Sequence, residues 1–356
     1  MGVTRILRKI EWPLLARALL IALLTMFVVR DLQLLREVLN NQPLGVDFLP
    51  LWTGARVETG RLYDFGFVTE QQAWLYTGKV RPFVYPPSAL LFVRPFGLMP
   101  FWVAYPLFMT LSGALFLWAA RRIGADWRVV MLAPAVVLVA VAGQLTFLIS
   151  GLAMTALALR GRPVLAGVLL AIAGAIKPQM LVLLPLALLA EGNWRTFWAT
   201  VATAGLLLVS SLPFGASWLE WVQALPRFHD LVQSDWTLLK TAATPYAAWG
   251  PLSLVVTVPV AVFAVWFAFR SDNVPRRVLA LLGGALAISP YAMNYEVALL
   301  VPAVLALEKR PAWTLVFYAA LAMFLSGPIA LVTAMLLLLR DMWGSPDAAR
   351  SGESRA

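Results

Sequence analysis

Apolar residues run through this chain in long unbroken blocks instead of alternating with polar ones. The blocks fall at about 13–29, 100–120, 129–142, 145–159, 164–190, 196–214, 247–270, 278–307 and 312–339. Many approach or exceed the ~20 residues a helix needs to cross the hydrocarbon core of a bilayer. The predicted fold class is therefore an all-α polytopic membrane protein with about 10–12 membrane helices, several short or broken. Two polar stretches interrupt the series. Residues 31–95, rich in Gly, Pro, Trp and Tyr, form the first loop and carry short helices; residues 215–246 form the second. The whole chain, 1–356, reads as one integral membrane domain with a disordered tail at 341–356.

Three of the apolar blocks contain polar breaks: Lys177-Pro178-Gln179, Ser289-Pro290-Tyr291-Ala292-Met293-Asn294 and Ser326-Gly327-Pro328. Residues 164–176 as a helix would reach only about 20 Å, short of the roughly 30 Å hydrocarbon core. Such short helices persist where their ends face a polar cavity enclosed by protein. The basic residues arbitrate between kinked spans and broken pairs. If all three blocks are broken, then Arg195, Arg270, Arg276, Arg277, Lys309, Arg310, Arg340, Arg350 and Arg355 share one side with Arg121, Arg122, Arg128, Arg160 and Arg162. Only Arg227 and Lys240 then lie opposite beyond Lys177. The positive-inside rule selects this arrangement, with both termini cytoplasmic and the block after Arg5, Arg8 and Lys9 an uncleaved signal anchor. It places residues 31–95, Gly143-Gln144, Lys177-Pro178-Gln179, residues 215–246 and the Ser289–Glu296 turn together on the outer side.

Composition changes the picture mainly by exclusion. The 356 residues are 61% hydrophobic and only 13% charged, with mean hydropathy +0.80; water-soluble domains carry about a quarter charged residues. With no Cys and a single histidine, His229, disulfides, iron–sulfur clusters and Cys/His zinc sites are excluded. The net charge of +10 is spread along the flanks of apolar blocks, a mark of membrane orientation and not of nucleic acid. The short basic loops show no phosphate-binding glycine motif, so nucleotide use there is not expected.

A few residues stand out as carriers of chemistry. Lys177 sits between two apolar half-runs, where an ammonium costs at least about 2.5 kcal/mol without a partner or water. It either snorkels from a helix end or awaits an anion such as a lipid phosphate, with Gln144 and Arg81 (and Lys79) as further donors. Asp47, an isolated carboxylate in Gly45-Val46-Asp47-Phe48, is placed either as a general base or as a helix N-cap. Asp64 and Glu58 compete with it. Tyr85, in the rigid turn Phe83-Val84-Tyr85-Pro86-Pro87, and Trp52, Tyr291 and Asn294 are expected to wall a sugar or prenyl site, though interfacial aromatic belts look similar. His229 with Asp230 forms a helper pair or simple surface decoration. Glu296 is expected to cap its helix from inside the cavity. No dense carboxylate cluster calls for a metal or other cofactor, although Asp47 with Asp64 offers a weak site.

Taken in order, Asp47-Phe48 with Ala55-Arg56, Gly60-x-Leu62-Tyr63-Asp64, Tyr85-Pro86-Pro87 with Leu91 and Pro95, Gly143-Gln144, Ala166-Gly167 leading into Lys177-Pro178-Gln179, and Ser289-Pro290 with Tyr295-Glu296 resemble glycosyltransferase family 87, a polytopic group of the GT-C superfamily. The resemblance covers about residues 12–310 and rests on the ordered set, no single motif being specific. It implies an outward-facing cavity in the cytoplasmic (inner) membrane, open to the periplasm or cell exterior. It also implies inverting transfer of a sugar, usually mannose, from a polyprenyl-phosphate donor to a lipid-linked or membrane-associated acceptor. Asp47 matches the acidic residue that acts as base. Near 289–296, where many members carry histidine, this chain has Tyr291 and Asn294. A transporter or flippase for a lipid-linked sugar is the main alternative from another class, but the long outer loop has no counterpart in the other half of the chain. A scaffold without catalysis is a further one.

Overall fold

The computed structural model describes residues 43–77, 81–159, 161–214, 217–234, 244–308 and 327–343, with isolated positions between 18 and 40. The expected N-terminal span, Lys79, the Ser326–Pro328 break (apart from its last two residues) and the tail beyond residue 343 lie outside the described residues. Among the described residues there are sixteen α-helices, six 3-10 turns and no strand, the all-α fold expected. The first polar stretch folds into α1 (Leu49–Gly54), α2 (Phe65–Glu70) and α3 (Leu90–Gly97). Then follow α4 (Phe101–Arg122), α5 (Trp127–Met131), α6 (Pro134–Ala142), α7 (Thr146–Ala158), α8 (Pro163–Ile176) and α9 (Leu184–Glu191). The second half holds α10 (Trp194–Ser211), α11 (Ser217–Ser234), α12 (Pro245–Trp249), α13 (Leu254–Ala268), α14 (Val274–Ile288), α15 (Val301–Leu307) and α16 (Gly327–Trp343).

Among the described residues, three helical stretches, Phe101–Arg122, Trp194–Phe214 and Gly250–Ala268, are long and apolar enough to cross a membrane. Prolines cut several of the others short. A proline disfavours helical backbone in the residue before it and brings no N–H of its own. Thus Ala133, extended at φ −66°, ψ 127° before Pro134, splits the 129–142 block into α5 and α6. Lys177 leaves the helix at φ −143°, ψ 78° before Pro178 and ends α8. Ser289, at ψ 131° before Pro290, ends α14. Two of the three suspected breaks are therefore real interruptions. The 215–246 stretch differs from a plain loop in carrying α11, an 18-residue helix. The tail boundary shifts too, since α16 continues through Trp343.

α14 organises the bundle. Most of its residues are buried, and at 15 residues it spans about 22 Å. At its N-terminal end the Arg277 guanidinium donates to Glu191 (2.5 Å), to the Ser271 carbonyl (2.7 Å) and to the Phe269 carbonyl (3.0 Å). Arg276 beside it pairs with Asp341 at 2.8 Å, and Arg340 pairs with the buried Glu308. These contacts tie α9, α13, α15 and α16 to one end of α14. The other end opens into the Ser289–Glu296 segment, where the polar breaks of the remaining helices meet. Elsewhere helices approach closely: a Cβ on Gly167 of α8 would lie 2.7 Å from the Thr196 carbonyl oxygen and from Ala199 Cβ on α10.

One backbone position sets the geometry of the polar end. Gly143, which closes α6, adopts φ +84°, and a Cβ there would meet Phe48 Cβ at 2.7 Å. An L-residue is both strained and crowded at this point. Gly143→Ala is expected to cost about 1–3 kcal/mol and to displace the 43–48 turn. A thermal unfolding scan in detergent that showed no loss of midpoint would contradict this.

Candidate functional site

Asp47 sits in the turn that precedes α1. Its backbone is stitched to the end of α6, Gly45 N–H donating to Val141 O at 2.9 Å and Asp47 N–H to Ala142 O at 2.8 Å. The next residue, Phe48, is fully buried and packs in an aromatic knot with Phe96, Phe101, Tyr105 and Phe108. A buried aromatic on one side and two interstrand-like backbone bonds on the other fix where the carboxylate points. The N-cap alternative does not apply, because Phe48 occupies that position of α1 with no capping side chain.

The carboxylate is held from two directions. Oδ1 accepts from Arg81 Nη1 as an ion pair, and Oδ2 accepts from Gln144 Nε2 at 2.8 Å. A carboxylate only accepts, so the amide nitrogen of Gln144, and not its oxygen, must face Asp47. The same Nε2 reaches the Tyr295 hydroxyl at 2.7 Å, which chains Asp47, Gln144 and Tyr295 together. Arg81 and Gln144, expected as phosphate donors, are thus found on Asp47 itself. Burial works against the Arg81 charge, Asp47 and the phenol of Tyr76 favour it, and the balance raises its proton affinity.

A second ion pair completes the group. Lys177, released from α8 by Pro178, pairs with Glu296, whose Oε2 also accepts the Met293 N–H at 3.2 Å. Glu296 thereby caps the 3-10 turn Asn294–Leu299, as expected, while holding an ammonium with its other oxygen. Side-chain exposure is 14% for Asp47, 19% for Arg81, 15% for Lys177 and 4% for Glu296, so all four charges sit in largely dehydrated surroundings. Asp47 also acts electrostatically on Lys177, Tyr85 and Tyr295. Two anions and two cations therefore form one neutral cluster. The pairing of Lys177 with Glu296 was not foreseeable from either residue's neighbours, although the Tyr295-Glu296 pair just past a proline break was a signal that polar groups gather there.

Aromatic groups surround this cluster. Tyr85 lies on the 81–88 segment, which is pinned by Gln72 Nε2 donating to Arg81 O (2.9 Å), Tyr63 OH donating to Tyr85 O (2.7 Å) and Ser88 Oγ donating to Ala175 O (2.6 Å). Burial first, and then the neighbouring Asp47 and Tyr291, push the Tyr85 phenol up, so it remains a neutral hydroxyl. Tyr291 is held in its turn by Ser289, whose Oγ donates to Tyr291 O at 2.6 Å. α11 lies against this rim: Trp221 Nε1 donates to Val84 O at 3.1 Å, and Phe228 meets the Tyr291 ring edge-on at 5.6 Å.

Other expected residues fall elsewhere. Trp52 gives its indole N–H to Met99 O at 2.9 Å and packs against Trp74 and Phe101, so it extends the aromatic knot around Phe48. Asp64 is an exposed N-cap of α2, accepting the Phe67 N–H at 3.0 Å; that bond, more than the nearby Arg61, holds its carboxyl below the usual range. His229 and Asp230 are exposed on α11, next to Phe228 in the chain. Asn294 begins the 3-10 turn, and its side chain lies outside the described residues. Among the described residues no group of three or more His, Cys, Asp or Glu is gathered as a metal site.

The arrangement offers a fixed carboxylate acceptor for a proton, two cations beside it, and neutral tyrosine walls. No curated protein and no solved structure matches this chain significantly. A family model for glycosyltransferase family 87 matches residues 83–290, more than half of the chain and the part that holds Tyr85, Gln144, Lys177 and Ser289; the protein belongs to glycosyltransferase family 87.

Proposed function

We propose that this glycosyltransferase moves a sugar, mannose being the expected one, from a polyprenyl-phosphate donor to the hydroxyl of a lipid-linked or membrane-associated acceptor on the extracytoplasmic side of the inner membrane. The observation that carries the reading is the Asp47 carboxylate held between Arg81 and Gln144 with Lys177 close by. A base and two cations at one point suit a reaction that takes a proton from an attacking hydroxyl while releasing a phosphate.

In a single displacement the acceptor oxygen attacks the anomeric carbon from the face opposite the phosphate. The bond from that carbon to the phosphate oxygen breaks, and its electron pair stays on the phosphate. Asp47 receives the proton of the acceptor hydroxyl; positioned base catalysis contributes roughly 10²–10⁴ in rate. Gln144, tethered to Tyr295, keeps the carboxylate aimed. As Asp47 becomes neutral, Arg81 loses its counter-charge at the moment the phosphate gains one, and Arg81 and Lys177 together stabilise it. Electrostatic groups already in place act without reorganisation, which is the larger part of such catalysis. Tyr85 and Tyr291 line the space for the sugar. A donor that carries its own lipid explains why no soluble nucleotide-binding domain is called for.

With protein in nanodiscs, radiolabelled polyprenyl-phosphate mannose and a membrane lipid extract, Asp47→Asn is expected to lower transfer by about 10²–10⁴-fold in a protein that still folds, with a lowered thermal midpoint because Arg81 loses its counter-ion. Full activity in that variant would remove Asp47 as the base, and turnover of a soluble nucleotide sugar would remove the donor class. Gln144→Leu, which abolishes the tether but no charge, is expected to lower kcat by about tenfold or more with little change in donor KM. A rise in KM alone would instead make Gln144 a donor ligand.

Sidedness is tested in the cysteine-free background. Single cysteines at the exposed positions 230 and 128 are expected to label oppositely in intact cells, Asp230→Cys readily with an impermeant maleimide and Arg128→Cys only after permeabilisation. The reverse pattern would turn the site to the cytoplasm.

A further inference from the structure

We infer that Glu296 is a positioning residue that holds the Lys177 ammonium as a resident counter-ion and cedes it to the phosphate of an arriving polyprenyl phosphate, an inference that rests on the donor class proposed above. The free site is already neutral: Asp47 balances Arg81, and Glu296 balances Lys177. A phosphate adds negative charge to a dehydrated cluster, and such a charge is tolerated only where a cation is made available. Arg81 is the less suitable cation to withdraw, because its partner Asp47 is reserved in that reading for the acceptor proton, with Gln144 on its second oxygen.

Glu296 is differently placed. One oxygen serves Lys177, while the other accepts the Met293 N–H at 3.2 Å and belongs to the cap of the Asn294–Leu299 turn. When the ammonium swings away, Glu296 keeps a hydrogen-bond donor and its backbone anchor. Lys177 stands at the end of α8 on a flexible four-carbon stem, suited to exchanging partners. Glu296 therefore competes with the phosphate for Lys177. The competition keeps a buried lysine charged and satisfied in the free enzyme, and it helps eject the phosphate after transfer, when that group carries more charge than before.

The consequence has a sign that a purely structural role does not produce. Glu296→Gln, similar in shape but neutral, is expected to bind polyprenyl phosphate more tightly, by about tenfold, and to turn over more slowly because product leaves slowly. The measurement is equilibrium binding of radiolabelled polyprenyl monophosphate to protein in zwitterionic nanodiscs, alongside the thermal midpoint of each variant. In a Lys177→Gln background the substitution at 296 is expected to have no tightening effect. Equal or weaker binding by folded E296Q, or tightening that persists without Lys177, overturns the inference while leaving the donor reading intact. Should E296Q not fold, Glu296→Asp retracts the charge from the ammonium and is expected to tighten binding in the same direction; unchanged affinity there also overturns it. If the wild-type protein binds no polyprenyl phosphate, the donor class fails and this inference falls with it.

Discussion

A charge in dehydrated surroundings must be compensated within a few ångströms, and this molecule meets that requirement with two carboxylates and two cations drawn from four distant parts of the chain. Asp47 comes from the first polar stretch, Arg81 from the segment before α3, Lys177 from the break after α8, and Glu296 from the turn after α14. Removing one member of such a set strands its partner at considerable cost. The rest of the architecture is arranged around the delivery of these groups. Prolines end helices where a side chain has to leave the bundle, a left-handed glycine lets α6 turn tightly beside Phe48, and Ser88 fastens the Tyr85 segment to the end of α8.

The chemistry follows from the neutrality of the set. In the proposed displacement a negative charge disappears from a carboxylate as another grows on a phosphate, with the total unchanged. Because the total charge of the occupied site does not change, the step needs no new counter-ion, provided a cation lies between the two loci. Arg81 is on Asp47, and Lys177 is within its electrostatic reach. The tyrosines bring hydroxyls without adding charge, which keeps them from disturbing that balance.

Much of the framework is legible from the order of residues. Block lengths reveal the all-helical membrane fold, and Lys177-Pro178 and Ser289-Pro290 mark the helix ends because proline restricts its predecessor. Asp47 and Lys177 draw notice as isolated charges in apolar runs. What the order of residues does not disclose is who meets whom. Gln144 reaches Asp47 across 97 positions and Tyr295 across 151, and no local pattern encodes such pairings. Arg81 and Gln144 therefore read as free donors when they are engaged with a carboxylate. Trp52 read as a wall because its one-dimensional neighbours are aromatic, whereas the knot it joins is formed by Trp74 and Phe101. The helix within 215–246 is masked in the sequence by Pro226 inside it and by its polar composition.

The opposite end of α14 carries a lesson of its own. There Arg277 gives all of its three described bonds to protein oxygens, and Arg276 and Arg340 are matched to acids of neighbouring helices. That pole is pinned by these pairs, although Glu191, Phe269 and Arg277 also border a cavity of about 580 Å³. Substrate preference can therefore drift through changes at the far pole while the bundle keeps its register, much as a lathe accepts new tools without rebuilding its headstock.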